Sequence, residues 1–161
     1  MNKALINNEL SLSYPDGFQL MDREELKNAY LDDNPDRWGI RDGERHVIIS
    51  VWWHESGQML SSFARHFGGV KSIAKSIEAK LRKGFRRNTY KFGGFFPTQL
   101  CGEEAHGLRY EYSVGDIAQY AETIVVQHKN RCYTVYYYAR KDGDPSNHRL
   151  FEDILSSMSF E

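Results

Sequence analysis

The sequence predicts an α+β domain in which helices flank an antiparallel β-sheet. Three observations carry the prediction. Two runs of β-branched and aromatic residues, "AETIVVQH" and "RCYTVYYYA", are separated only by Lys129-Asn130, which is hairpin spacing. Between Gln58 and Lys83 the apolar residues instead recur every three or four positions, the period of a helix. Along the chain, strands follow one another in antiparallel succession with helices inserted at intervals.

The elements follow in chain order. "LSLSY" (10–14) alternates and runs into "PDGF", where Pro15 and Gly17 signal a turn. "DREELKNAYLDD" reads as a short helix, with Asp22 as its cap, Glu24 and Glu25 at its positive N-terminal end, and Pro35 beyond it. "HVIISVWW" (His46 to Trp53) is a strand with Val47, Ile49, Val51 and Trp53 on one face and His46, Ile48, Ser50 and Trp52 on the other. The long helix carries Phe63, Phe67, Val70, Ile73, Ile77 and Leu81 as one stripe. Gly68-Gly69 is a point for it to kink, and Gly84 is its expected C-terminal cap. "GLRYEYSV" puts Leu108, Tyr110, Tyr112 and Val114 on a common face.

A two-residue turn at Lys129-Asn130 pairs His128 with Arg131, Val126 with Tyr133, and Ile124 with Val135. Ile124, Val126, Tyr133, Val135 and Tyr137 then form a core-like face. The opposite face, with Thr123, Val125, Gln127, Cys132, Thr134, Tyr136 and Tyr138, is wet, covered by a helix, or used for binding. A helix over 145–158 closes the chain.

The segment "DGDPSNHRLFED" resembles a calcium-binding loop in its oxygen spacing. Its sixth position is Asn147 rather than Gly, and its twelfth is Asp153 rather than Glu. Asp144 as N-cap with Pro145 at the first helical position accounts for the same residues. "HESGQ" has Gln58 where a zinc-protease helix needs its second His. "GEEAHG" (102–107) is expected as a solvated turn carrying Glu103, Glu104 and His106. From the sequence alone no Ser, Cys or Thr nucleophile can be paired with a base, and no glycine-rich phosphate loop is present. The expectation is therefore no catalytic residue, no metal and no cofactor.

The length, 161 residues, suits one domain over 1–161. A net charge of -1 with 14% aromatic residues argues against a general nucleic-acid binder and against a disordered chain. No apolar run approaches the roughly 20 residues that span a bilayer, so no membrane insertion is expected. "MNKALINNELSLSYPDGF" lacks the apolar core of a signal peptide, and with Met1 as the start a cytoplasmic protein is expected. Cys101 and Cys132 are expected to be buried strand thiols, since two cysteines make no disulfide framework.

The order and wording of these elements resemble a known family. "LSYPDGFQL", the strand pair through "GEEAHGLRYEYS", the hairpin "AETIVVQHKNRCYTVYYYARKD" and the terminal "FEDILSSMSF" are similar to the Mog/PsbP-like superfamily. That is the fold of the photosystem II extrinsic protein PsbP and the Ran-binding Mog protein. The resemblance implies a non-enzymatic fold that docks onto other proteins, with no catalytic residues to carry over. A similar bacterial branch, the Eag chaperones of type VI secretion, shields apolar segments of effectors. This sequence departs from exported members in having no signal peptide or lipoprotein cysteine near its start.

Two candidate binding surfaces remain. The aromatic set Trp52, Tyr136 and Tyr138 points away from the assigned core, and aromatics are enriched at binding hot spots. The segment from Lys71 to Lys91 carries eight Lys and Arg residues, among them Lys75, Arg82 and Arg86, against the single acid Glu78. The functional expectation is a non-catalytic protein-binding module, an adaptor or chaperone. The alternative is a small-molecule or ion-binding protein with a pocket beside the sheet.

Overall fold

The computed structural model describes residues 1–55, 69–85 and 89–161. Within them lie two antiparallel sheets and three helices. The small sheet joins β1 (Asn2–Ile6), β2 (Leu10–Tyr14) and β10 (Ser159–Phe160), with β2 in the middle. The main sheet holds β3 (Gln19–Leu20), β4 (Arg37–Asp42), β5 (Val47–Glu55), β6 (Lys91–Leu100), β7 (Glu103–Val114), β8 (Ile117–His128) and β9 (Arg131–Arg140). Its spatial order is β3-β4-β5-β9-β8-β7-β6. The helices are α1 (Arg23–Tyr30), α2 (Val70–Gly84) and α3 (Ser146–Ser156).

The β8–β9 hairpin has the register that its two-residue turn demands, with His128 opposite Arg131, Val126 opposite Tyr133 and Ile124 opposite Val135. One face of the main sheet buries Val47, Ile49, Val51, Ile124, Val126, Val135 and Tyr137 beneath the small sheet and α3. Leu10 and Leu12 of β2 and Phe151 and Ile154 of α3 supply the cover. On the second face, Val70 and Ala74 of α2 pack on Leu108, Tyr110, Val125 and Cys132. Thr123 to Val126 are therefore all buried, because both faces of β8 are covered. Each fully buried Val, Ile or Phe contributes about 1.5–3 kcal/mol, so both layers hold the sheet.

Local chemistry sets the helix ends. Asp22 accepts the Glu25 N–H at 2.8 Å while Glu25 accepts the Asp22 N–H at 3.1 Å, a complete capping box for α1. At α3 the regular helix begins at Ser146, one residue later than expected, with Pro145 already at helical angles (φ -57, ψ -23). Asp144 still serves this end: its carboxylate accepts the Ser146 N–H at 2.9 Å and its carbonyl accepts that of Asn147 at 3.0 Å. The helix stops at Ser156 rather than 158, where Ser157 folds back onto the Ile154 carbonyl at 2.7 Å.

Several expectations are corrected. Gly84 is the last residue of α2 and not a left-handed cap; Phe85, at φ -94, donates its N–H to Leu81 instead. The expected helix from Gln58 begins at Val70 in the described part, and residues 58–68 lie outside it. The "GEEAHG" turn is displaced: the chain turns at Cys101-Gly102 (φ 55 and φ 74), and Glu103 to His106 already belong to β7. His106 is consequently buried on the second face, stacked on Phe95 at 6.0 Å. Cys101 sits half-buried in that turn, whereas Cys132 is buried in β9; both thiols are free. Strands β1, β4 and β10 had no clear sequence signal. Pro97 lies in the edge strand β6, where a missing N–H is tolerated.

Candidate functional site

The tyrosines of the second sheet face meet the ends of two helices. Tyr30, in the last turn of α1, lies over the sheet with its ring 5.8 Å from Tyr136 and 6.2 Å from Tyr138. Its hydroxyl hydrogen-bonds Ser50, and the Arg37 guanidinium stacks on its outer face at 3.8 Å. From the other side α2 ends on Leu81 and Phe85, and Phe85 packs against Tyr112 at 5.0 Å. The two helix ends do not meet. Between them runs a groove of about 820 Å³ with Ile48, Tyr110, Tyr112 and Tyr138 in its floor.

Leu31, Val114 and Ile117 line this groove and are 92%, 61% and 41% exposed. Leu31 has the left-handed backbone that ends α1 (φ 55). Val114 and Ile117 flank the Gly115-Asp116 turn between β7 and β8. Exposed apolar side chains gathered around one concavity mark a contact surface, unlike apolar residues scattered singly. Arg41 and Arg140 also line the groove. Arg41 is held by Glu25 at 2.9 Å.

Burial pushes the hydroxyls of Tyr30, Tyr110 and Tyr138 above the usual tyrosine range, and that of Tyr112 up to about 12. All stay protonated at neutral pH. The floor is thus uncharged, apolar in its bulk and supplied with hydrogen-bonding hydroxyls, an arrangement suited to holding a partner rather than activating a nucleophile.

The candidate residues do not form one surface. Tyr138 lies in the groove floor. Tyr136 is half-buried beneath Tyr30 and Arg37. Trp52 sits toward the other end of β5, half-buried and stacked on His54 at 4.5 Å, and its indole N–H has no partner among the described residues. The second face, left open between wet, covered and binding, is covered in part: Tyr30 lies over Tyr136 and Tyr138, α2 packs on Tyr110, Val125 and Cys132, and the groove lies between. Lys75 and Arg82 are exposed on α2 with Lys71, Lys80 and Lys83, while Arg86 lies outside the described residues. Glu78 turns inward, accepting from the Tyr90 hydroxyl at 3.3 Å and pairing with Arg82 at 3.3 Å. Sequence reasoning missed Tyr30, Leu31, Phe85 and Ile117. The available signal was Leu31, an isolated apolar residue beside the acids of "YLDD" just past a helix end.

Among the described residues no group of three or more His, Cys, Asp or Glu side chains could hold a metal ion. No described helix is long and apolar enough to cross a membrane.

No protein-family model matches the sequence and no curated protein is significantly similar to it. Solved structures are. Cyanobacterial PsbP (CyanoP) from Synechocystis sp. PCC 6803 superposes with a TM-score of 0.74 at 15% identity, over 99% of this chain and 92% of that one. The Ran-binding protein Mog1p of Saccharomyces cerevisiae gives 0.54 at 8% identity over 98% and 95% of the two chains. LpqN of Mycobacterium tuberculosis, involved in cell envelope biogenesis, gives 0.53 at 14% identity over 94% and 82%. The chain has the α+β fold of the Mog/PsbP-like superfamily, as its element order implied.

Proposed function

We propose that this Mog/PsbP-like domain is a non-catalytic adaptor or chaperone that docks a partner protein in the groove between α1 and α2. The occupant is an apolar segment of the partner with acidic residues beside it. One observation carries the reading: Leu31, Val114 and Ile117 are exposed around a single tyrosine-floored groove. The flanking chemistry supports the charge of the occupant. Arg140 lines the groove, and the exposed side of α2 is basic from Lys71 to Lys83. That one structural neighbour is a Ran-binding protein is in keeping with a protein partner. The same proposal sets the protein in the reducing cytoplasm, in line with its two free thiols.

The test uses the groove's rim, because Tyr138 is packed from both sides and its removal would disturb folding. Leu31→Lys and Ile117→Lys alter exposed positions and should leave the melting temperature unchanged. Displayed peptide libraries of apolar segments with acidic flanks should yield binders to the wild-type protein. Each rim variant should weaken them about tenfold or more, equivalent to about 1.4 kcal/mol. Binders indifferent to both variants would sink the reading.

A further inference from the structure

A second cleft, of about 930 Å³, lies on the opposite face of the sheet, between α3 and the β6–β7 edge. At its base stands Glu122 of β8, a carboxylate only 4% exposed. Among the described residues, three side chains reach one of its oxygens, Oε2. The Tyr120 hydroxyl donates to it at 2.9 Å, His148 Nε2 lies 2.8 Å away and Arg109 Nε 3.7 Å away. None of these contacts uses Oε1. Burial and the adjacent carboxylate raise the Tyr120 hydroxyl well above its ordinary value, so it stays protonated and its proton is donated to Glu122. Arg109 is committed too, its guanidinium stacked over Phe96 at 4.0 Å.

The cleft's charge is unbalanced. Glu103, Glu122, Glu152 and Asp153 line it against Arg109 and Arg149. Arg149 pairs with Asp153 at 3.4 Å, and Arg109 is the guanidinium beside Glu122. Among the described residues that leaves Glu103 and Glu152 without a Lys or Arg partner, with His148 Nδ1 3.6 Å from Glu152. His128, the other imidazole of the cleft, is stacked on Phe160 at 3.9 Å. Beside the charged base the wall is apolar, formed by Ile124, Leu155, Met158 and Phe160. A buried carboxylate whose three described contacts all fall on one oxygen, in a concave site with excess negative charge and an apolar wall, suits an organic cation.

We infer that this cleft is a binding site for a small primary amine, whose ammonium group donates to Glu122 Oε1 while its hydrocarbon body lies against Ile124, Leu155 and Met158. The site is independent of the protein-docking groove. An amide-resolved NMR titration of the full chain with phenethylamine, and separately with phenethyl alcohol, tests it. Phenethylamine should shift the amides of α3 and of Ile124 saturably, and the alcohol should bind about tenfold more weakly or worse. Glu122→Gln should weaken the amine by a similar factor. Since Glu122 also holds Tyr120, His148 and Arg109, a second variant keeps the test decisive: Ser156→Trp fills the cleft from an exposed position on α3 and should abolish binding. The inference is overturned if the alcohol binds as well as the amine, if the shifts do not saturate or fall elsewhere, or if Ser156→Trp binds like the wild type.

Discussion

At Glu9 burial and charge act in opposite directions. Desolvation raises its carboxyl, but the Tyr133 hydrogen bond and the charges of Arg131, His128 and Lys129 outweigh it. The group ends below its ordinary value of 4.5. A carboxylate lowered by folding stabilises the native state above its unfolded value, and that contribution is lost as pH falls through the lower folded value. His54 and His106 act in an earlier window. Burial, and then the nearby lysines of α2, lower both below 6.5. The unfolded chain therefore binds their protons first, and stability should begin to fall as pH drops below that value. Urea melts between about pH 8 and about pH 3 should show decline in both windows. Glu9→Gln should flatten only the more acidic one, and an unchanged acid limb in that variant would contradict this account of Glu9. None of it was legible beforehand. Glu9 gains its partners from the β8–β9 hairpin, more than a hundred residues away, and His106 was expected in a solvated turn.

At the scale of elements, patterning worked where one physical cause dominated. The β8–β9 register followed from a two-residue turn, and α1 followed from Asp22 and Glu25. It failed where tertiary packing set the ends, as at Gly84 and in the Glu103–His106 stretch. The β6–β7 pair shows why. Gly107 of β7 faces Phe96 of β6, and the Phe96 ring lies across the glycine; a Cβ there would stand 2.2 Å from it. Gly107→Ala should therefore expel the Phe96 ring, unseat the Arg109 stack and cost about 1–3 kcal/mol. A chemical melt measures the loss, and a cost below about 0.5 kcal/mol would show that the ring moves freely. Phe96 lines the amine cleft, so this single contact also shapes a proposed site.

For the whole molecule, the sheet's order predicts a gradient of stability. β9 and β8 have strands on both sides and are covered on both faces, while β3 and β6 are edges. Native-state hydrogen exchange should be slowest in β5, β8 and β9 and faster in β1, β3 and β6. Exchange in β6 as slow as in β9 would contradict it. Packing also placed the two concavities. Helices α1 and α2 leave a gap above the tyrosines, and α3 leaves one beside Glu122, so opposite faces of one sheet carry an apolar groove and a charged cleft.

By itself the sequence determined the fold class and the hairpin pairing, because periodicity and turn chemistry are local and act within a few residues. It also singled out the Tyr136–Tyr138 strand as worth attention. Which tyrosine lies in a groove and which lies beneath a helix was decided only in three dimensions. A side chain's exposure depends on what packs over it. Tyr30 and Phe85 come from helices distant in sequence, and neither announces where it will land.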